Sequence, residues 1–203
     1  MRNMLKIMKE KLSIGEDLVL VTVIASSGAT PRGAGARMLI GKEGRICGTI
    51  GGGAVEYRSE QIGAKVLSER TSLGHDFTLT KDDVQNLGMI CGGACNVFFH
   101  YLPAGDAHTL ELADRAEAAF RKGTDLWLLT DVGQQGKMGL YTAPGGFWGK
   151  KYRSPSPCPG IRSGSGTFSP SRSTPPAECM CSAAAMWPRS WCRCLLMWAS
   201  GVW

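Results

Sequence analysis

The composition of the chain changes abruptly after Lys150, and this change limits which part of it can form a packed core. The last 53 residues contain ten Ser and seven of the ten Pro, but only four Ile, Leu or Val. No apolar period of 2 or 3.6 runs through them, which is typical of a segment that cannot bury enough apolar surface to become ordered. We therefore predict one domain over residues 1–150, followed by an irregular, disordered tail over residues 151–203.

Residues 1–150 alternate between helical and strand patterns, which predicts an α/β fold with a mixed sheet flanked by helices. The nearly continuous apolar run 18–26 is typical of a strand that is buried on both faces, and Gly41 and Gly44 predict a hairpin turn. Helices are predicted up to Leu12 and at 54–70 and 107–123, and strands at 36–40, 45–50, 76–80 and 95–102, with 125–132 and 138–143 completing the sheet.

Charge and apolar patterning exclude several classes of protein. Residues 1–150 carry 17 basic and 16 acidic residues, a net charge of +1, so no basic face for nucleic acid is expected. No apolar segment approaches the roughly 20 residues that span a bilayer, and the N-terminal residues lack the apolar region of a secretory signal. We expect a cytoplasmic protein with neither nucleic acid nor membrane as a partner.

The first of three glycine-rich loops, SSGATPRGAGAR (26–37), directly follows the buried strand. Glycines let a backbone approach a ligand closely, and guanidinium groups bind phosphate through paired N–H donors. The alternative is a long turn with two arginines exposed to solvent. The candidate ligand-binding residues of this loop are Ser27, Gly28, Arg32, Gly33, Gly35 and Arg37.

The second loop, GTIGGGAVE (48–56), is predicted to connect a strand to the N-terminus of a helix. Backbone N–H groups and the helix dipole favour an anion at such a position. A tight strand–helix junction without a ligand explains the three glycines equally well. The candidates are Gly51, Gly52, Gly53 and Glu56, of which Glu56 suits the helix dipole better than it suits acid catalysis.

The third loop, LGMICGGAC (87–95), places a cysteine between loop amides, which can lower the pKa of the thiol and favour the thiolate. Its candidates are Cys91, Gly92 and Gly93, with Cys91 as a reactive or ligand-binding thiol. Cys47 and Cys95 are expected to be buried apolar residues instead. The three histidines, His75, His100 and His108, lack the spacing of metal ligands, so no metal site is predicted.

The amino acids of the tail are also compatible with translation in a second reading frame. In that frame, each codon consists of the third base of one original codon and the first two bases of the next. Over residues 177–203, the Met and Trp codons force Val, Val, Ala, Val, Val and Gly, and the whole segment is compatible with RMYVFGGGHVAQELVPVLAHVGFRCV. That string has the strand, glycine-rich turn and helix that open a Rossmann-type domain. We hypothesise a frameshift between residues 145 and 170, which codons incompatible with the second reading would refute.

The segments ASSGATPRGAGARMLI, GTIGGGAVE and LGMICGG, in this order and spacing, closely resemble the XdhC/CoxI family of molybdenum hydroxylase accessory proteins. The resemblance extends approximately over residues 10–150. Members of the family typically continue into a Rossmann-type domain that opens with a strand and FGGGHVAQ. The shifted reading of the tail contains this opening.

The resemblance implies a role in the maturation of xanthine dehydrogenase, carbon monoxide dehydrogenase and related enzymes. It implies that the chain binds the molybdenum cofactor, a molybdopterin, protects it while a terminal sulfur ligand is installed, and delivers it without using it. An apo molybdenum hydroxylase of the xanthine dehydrogenase type and a cysteine desulfurase are the implied partners, and a homodimer is a further expectation. Transferred by motif, the cofactor contacts are Arg32, Gly33, Arg37, Gly51, Gly52, Gly53, Cys91, Gly92 and Gly93.

An accessory factor is therefore expected rather than an enzyme, but the residues leave two other functions open. Cys91 as a nucleophile would make the chain a sulfur-transfer enzyme that carries a persulfide. The glycine turn in the shifted reading of the tail would instead suit an accessory domain of a nucleotide-binding oxidoreductase, which would bind NAD or flavin.

Overall fold

A computed structural model describes residues 1–27, 32–78, 93–130, 132, 137–142, 145–149 and 195–197. The helices among them are α1 (Arg2–Ser13), α2 (Gly53–Glu69) and α3 (Ala107–Arg121). The strands are β1 (Leu18–Ser27), β2 (Arg37–Gly41), β3 (Gly44–Thr49), β4 (Leu73–Thr78), β5 (Ala94–Leu102), β6 (Leu126–Thr130), β7 (Met138–Thr142), β8 (Gly146–Gly149) and β9 (Leu195–Met197). The α/β class expected from the sequence is confirmed.

Five strands form the large sheet, in the order β3-β2-β1-β5-β4, and every neighbouring pair is antiparallel. The central strand β1 sends alternate residues into two cores. Leu18 and Leu20 pack on the side of α1 and α3, while Val19, Val21 and Val23 pack on the side of α2. Because helices cover both faces, β1 needs no polar alternation, and its predicted burial on both faces is confirmed.

The helices that cover the large sheet follow from their sequences. In α1, the buried residues Met4, Leu5, Met8 and Leu12 recur at helical spacing and form one apolar stripe. Helix α3 starts at Asp106, whose carboxylate accepts the backbone N–H of Thr109 at 2.9 Å as an N-cap. Both helices therefore begin and end close to where the sequence predicts.

The hairpin of β2 and β3 is confirmed, with Gly41 opposite Gly44 and Arg37 opposite Thr49. Within β3, Gly48 has a φ of +83°, which residues with a Cβ rarely adopt. A Cβ at this position would also collide with the carbonyl oxygen of Arg37 and the methyl group of Met4. Only glycine therefore lets β3 lie this close to β2 and α1.

We expect Gly48→Ala to lower the free energy of unfolding by about 2 kcal/mol, because it combines a strained φ with a clash against backbone. Urea denaturation measures this loss. Gly74→Ala is the matched control in β4, since a Cβ there has no atom within 4 Å, and it should change stability by less than about 0.5 kcal/mol. Equal losses in the two variants would contradict the explanation.

Four strands form the small sheet, in the order β8-β7-β6-β9, which packs against α3. Leu126, Leu128, Met138 and Leu140 join the core beneath α1 and α3. The sequence predicts that β6 and β7 complete a single sheet. They instead pair with each other and with β8 and β9, and so form a second sheet.

Strand β8, which the sequence analysis does not predict, is fixed to α3 by a stack around Trp148. The ring of His108 lies parallel to the indole, with centroids 4.9 Å apart, and the guanidinium carbon of Arg115 lies 4.7 Å from the indole centroid. Stacked rings and a cation over an aromatic face both stabilise such a contact. This contact connects the edge of the small sheet to the helix layer.

Most of the tail lies outside the described residues, so the predicted disorder of 151–203 and the domain boundary at residue 150 stay predictions. The described part of the tail is β9, which pairs with β6. Strand β4 begins at Leu73, three residues before the predicted start, and predicted strand residues 79, 80, 131 and 143 are not described. Within the described ranges, no helix has the length and apolar character needed to cross a membrane.

Candidate functional site

The three glycine-rich loops leave the large sheet at the same end. The first loop connects the end of β1 to the start of β2, the second follows the end of β3, and the third precedes β5. Because these neighbouring strands are antiparallel, Ser27 lies opposite Ala94 and Arg37 lies opposite Thr49. We call this region the loop end of the large sheet. Gly28, Cys91 and Gly92 lie outside the described residues.

The first loop is fixed against β1 immediately before Arg37. The N–H of Gly35 donates to the carbonyl of Val23 at 2.8 Å, and the N–H of Val23 donates to the carbonyl of Ala36 at 2.9 Å. Ser27, at the end of β1, and Arg32 and Gly33, in the loop, are exposed to solvent. In the third loop, Gly93 is buried beside the start of β5.

Arg37 is buried, with only 5% of its surface exposed. Its Nη1 lies 3.9 Å from the sulfur of Met1, while Nε and Nη2 are buried and have no hydrogen-bond acceptor among the described residues. Burial lowers the pKa of Arg37 to about 10, so the side chain stays charged at neutral pH. An unpaired, buried guanidinium is energetically unfavourable. It is the most unusual group at the loop end.

The glycine turn of the second loop, Gly51–Gly53, folds around a carboxylate from its own helix. The φ angles of Gly51, Gly52 and Gly53 are +144°, +83° and +56°, which explains three consecutive glycines. Oε1 of Glu56 accepts the N–H of Gly52 at 2.9 Å, of Ile50 at 3.1 Å and of Gly51 at 3.4 Å. The amides that the sequence suggested for an anionic ligand therefore have an acceptor within the chain.

Two side chains from β3 complete this arrangement. The hydroxyl of Thr49 donates to Oε1 of Glu56, and Nη1 of Arg45 lies 2.5 Å from Oε2. The pattern resembles a capping box, in which an acidic side chain of the first turn accepts the N-cap amide. Glu56 is thus a buried residue that holds the glycine turn in shape.

The same contacts govern the pKa of Glu56. Burial alone would raise this pKa, but hydrogen bonds from Thr49, Gly52 and Ile50 and the charge of Arg45 together lower it below its usual value. The carboxylate is therefore ionised at neutral pH and acts as an acceptor, not as an acid.

We expect Glu56 to make folding stability depend on pH. Since its folded-state pKa is depressed, its contribution is full above its unfolded-state pKa of about 4.3 and is lost as the pH falls through the lower folded-state value. Urea denaturation between pH 2 and pH 6 should show a steeper loss in the wild type than in Glu56→Gln. Identical pH profiles for the two proteins would contradict the ionised role of Glu56.

Two cysteines, Cys47 and Cys95, lie in the described ranges. Cys95 is buried, as expected of an apolar residue, whereas Cys47 is only half-buried. Burial raises the pKa of both thiols, which disfavours the thiolate. The ring of His108 lies in the stack on Trp148, and its Nε2 is 2.8 Å from the carbonyl oxygen of Met138. Among the residues that the structure describes, no three His, Cys, Asp or Glu side chains lie close enough to hold a metal ion.

Sequence reasoning missed Thr49 and Arg45 as partners of Glu56. Thr49 lies inside the GTIGGG motif, so its place next to the turn was a usable signal. No sequence signal pointed to Arg45, because only the reversal of the chain between β3 and α2 brings its guanidinium to the carboxylate of Glu56.

The fold and the loop end together define a class of protein. Glycine-rich loops that leave one end of a sheet on an α/β scaffold are a common location for ligand-binding residues. The model of the XdhC and CoxI family matches residues 12–77. The resemblance inferred from the loop motifs is therefore confirmed over this part of the chain.

Two further comparisons give a relative and a solved structure to which the chain is similar. A segment of 79 residues, 39% of this chain, is 35% identical to the uncharacterized protein YqeB of Escherichia coli (strain K12) and covers 14% of that protein. The fold is similar to the crystal structure of a xanthine dehydrogenase from Bacillus halodurans, with a TM-score of 0.58 and 17% identity, over 73% of this chain and 45% of that one. The chain thus spans less than half the length of either protein.

Proposed function

We propose that this chain is an accessory protein in the maturation of a molybdenum hydroxylase of the xanthine dehydrogenase type. In this role it binds the molybdenum cofactor, protects it and delivers it to the apo-enzyme, which makes it a delivery factor and not a catalyst. The observation that carries the proposal is that the described ends of all three family-like loops lie at the loop end of the large sheet. The match to the XdhC and CoxI family supports it.

At the loop end, Arg37 fits an anionic, phosphate-bearing molecule, whereas the glycine turn Gly51–Gly53 does not. Arg37 has two buried N–H groups without acceptors, which suit a phosphate oxygen pair. The glycine turn does not suit an anion, because the carboxylate of Glu56 already accepts its amides. Ser27 and Gly33 are exposed at the described ends of the first loop and would be available to contact the rest of the molecule.

When bound, the molybdenum cofactor would supply the redox-active metal centre that the target enzyme requires. The chain itself would bind the cofactor through Arg37, orient it through the backbone of the first loop, and release it. Within the same proposal, a cysteine desulfurase is the source of the terminal sulfur, the compartment is the cytoplasm, and the chain forms a homodimer.

Two alternatives depend on residues outside the described ranges. Sulfur transfer depends on Cys91, and nucleotide binding depends on the shifted reading of the tail. The raised pKa values of the Cys47 and Cys95 thiols make these two residues poor substitutes for Cys91 as a nucleophile.

Retention of the molybdenum cofactor by the full chain tests the proposal. Cofactor released from a molybdenum hydroxylase is mixed with the chain, and bound molybdenum and pterin are measured after gel filtration. We expect saturable retention and reactivation of an apo-hydroxylase, with binding at least tenfold weaker, or about 1.4 kcal/mol, in Arg37→Gln and in Cys91→Ala.

Arg121→Gln is the control for charge, because Arg121 is exposed at the end of α3, and it should bind like the wild type. Absence of both retention and reactivation would refute the proposed function. A persulfide on Cys91 after incubation with a cysteine desulfurase, without cofactor retention, would favour the sulfur-transfer alternative.

A further inference from the structure

The polar groups at the loop end divide into two sets with opposite preferences for anions. The glycine turn of Gly51–Gly53 is closed by Glu56, whose Oε1 accepts backbone N–H groups at 2.9 and 3.1 Å. A phosphate at this turn would have to displace that carboxylate or lie next to it, and two like charges at such distances repel strongly. The family-like GTIGGG motif is therefore a structural turn and not a phosphate loop.

Arg37 has the opposite character. No described carboxylate forms a salt bridge with it, and the thioether of Met1 is the weak acceptor near Nη1. The two unpaired atoms, Nε and Nη2, form the edge of the guanidinium whose parallel N–H bonds match two oxygens of one oxyanion. The free donors are thus the pair that an oxyanion uses.

The position of Arg37 connects this donor pair to the loops. Arg37 is the first residue of β2, and it lies between Thr22 of β1 and Thr49 of β3 in the ladder. The chain enters β2 directly from the first loop, whose Gly35 and Ala36 are hydrogen-bonded to Val23. A group held by Arg37 is therefore held at the loop end of the sheet.

We propose that Arg37 is the subsite for the anionic group of the ligand, an oxyanion such as a phosphate monoester, and that Glu56 keeps this group out of the glycine turn. The assignment rests on the proposed function, since it divides the same site between two residues. The assignment fixes the orientation of the bound ligand, whose anionic group lies at β2 and not at the N-terminus of α2.

Titration of the full chain with inorganic phosphate tests this assignment at constant ionic strength, with chloride as the balancing anion. The Nε–H resonance of Arg37, identified by its loss in Arg37→Gln, should shift saturably, and the melting temperature should rise with phosphate. Both responses should survive in Glu56→Gln, which leaves Arg37 intact. Arg121→Gln, which removes an exposed charge at the end of α3, should also respond like the wild type.

The phosphate affinity of Arg37→Gln should fall at least tenfold. An unchanged affinity in Arg37→Gln, or loss of the response in Glu56→Gln with the fold intact by circular dichroism, would overturn the assignment. Asp82 and Asp83 are acidic residues outside the described ranges, and each is tested separately as a counter-ion of Arg37 within the chain. If the resonance ignores phosphate but shifts in Asp82→Asn or Asp83→Asn, the subsite is excluded.

Failure of the subsite and failure of the proposed function give different results. Phosphate binding that depends on Arg37, without retention of the molybdenum cofactor, keeps the subsite and refutes the proposed function. Retention of the cofactor that is unchanged in Arg37→Gln refutes the subsite alone.

Discussion

Replacing Glu56 with alanine should lower the free energy of unfolding by about 4 kcal/mol, because the substitution leaves several buried donors without an acceptor. The wild-type carboxylate accepts the N–H groups of Ile50 and Gly52 and the hydroxyl of Thr49, and it pairs with Arg45. Alanine cannot replace any of these contacts. The glycine turn should therefore lose its shape along with its stability.

Urea denaturation at pH 7 measures the loss, and Glu60→Ala is the control from the same helix. Glu60 also faces Arg45, but its Oε1 lies 3.9 Å from Nε and its side chain is 38% exposed. An exposed ion pair of this kind contributes less than about 1 kcal/mol. Similar losses for the two variants would show that the turn does not depend on Glu56.

The second prediction is a gain in stability. Arg37→Met should raise the free energy of unfolding of the ligand-free protein by about 3 kcal/mol. Burial lowers the folded-state pKa of Arg37 to about 10, well below its unfolded-state value. The unfolded chain therefore holds this proton more tightly, and the charged side chain destabilises the fold at every pH below about 10. Methionine is similar in length, carries no charge and suits the apolar contact with Met1.

A rise in melting temperature of about 5–10 °C is the expected measurement for a chain of this size. Arg32→Met is the matched control, because Arg32 is exposed in the same loop and should change stability by less than about 0.5 kcal/mol. A loss of stability in Arg37→Met would mean that Arg37 has an internal counter-ion. A gain would show that Arg37 reduces the stability of the ligand-free protein, as expected of a residue whose role is binding.

The elements with strong local patterns were predictable. The β-branched run in β1 gave a strand buried on both faces, and Gly41 and Gly44 gave the hairpin of β2 and β3. The division into two sheets was not predictable, because an isolated hairpin pattern such as β6 and β7 does not specify which edges it pairs with. Packing of β6 and β7 against α3 accompanies their pairing in a separate sheet.

The sequence by itself determined the helices, the strands β1 to β7 and the turn at Gly51–Gly53, since these depend on local period and on backbone angles. The tertiary structure alone decided what the polar residues do. Chain reversal after β3 brings Glu56 back to the turn before it, so a candidate ligand contact holds the turn instead. Burial among elements distant in sequence isolates Arg37 from water, and desolvation is a property of the packed protein that no local pattern encodes.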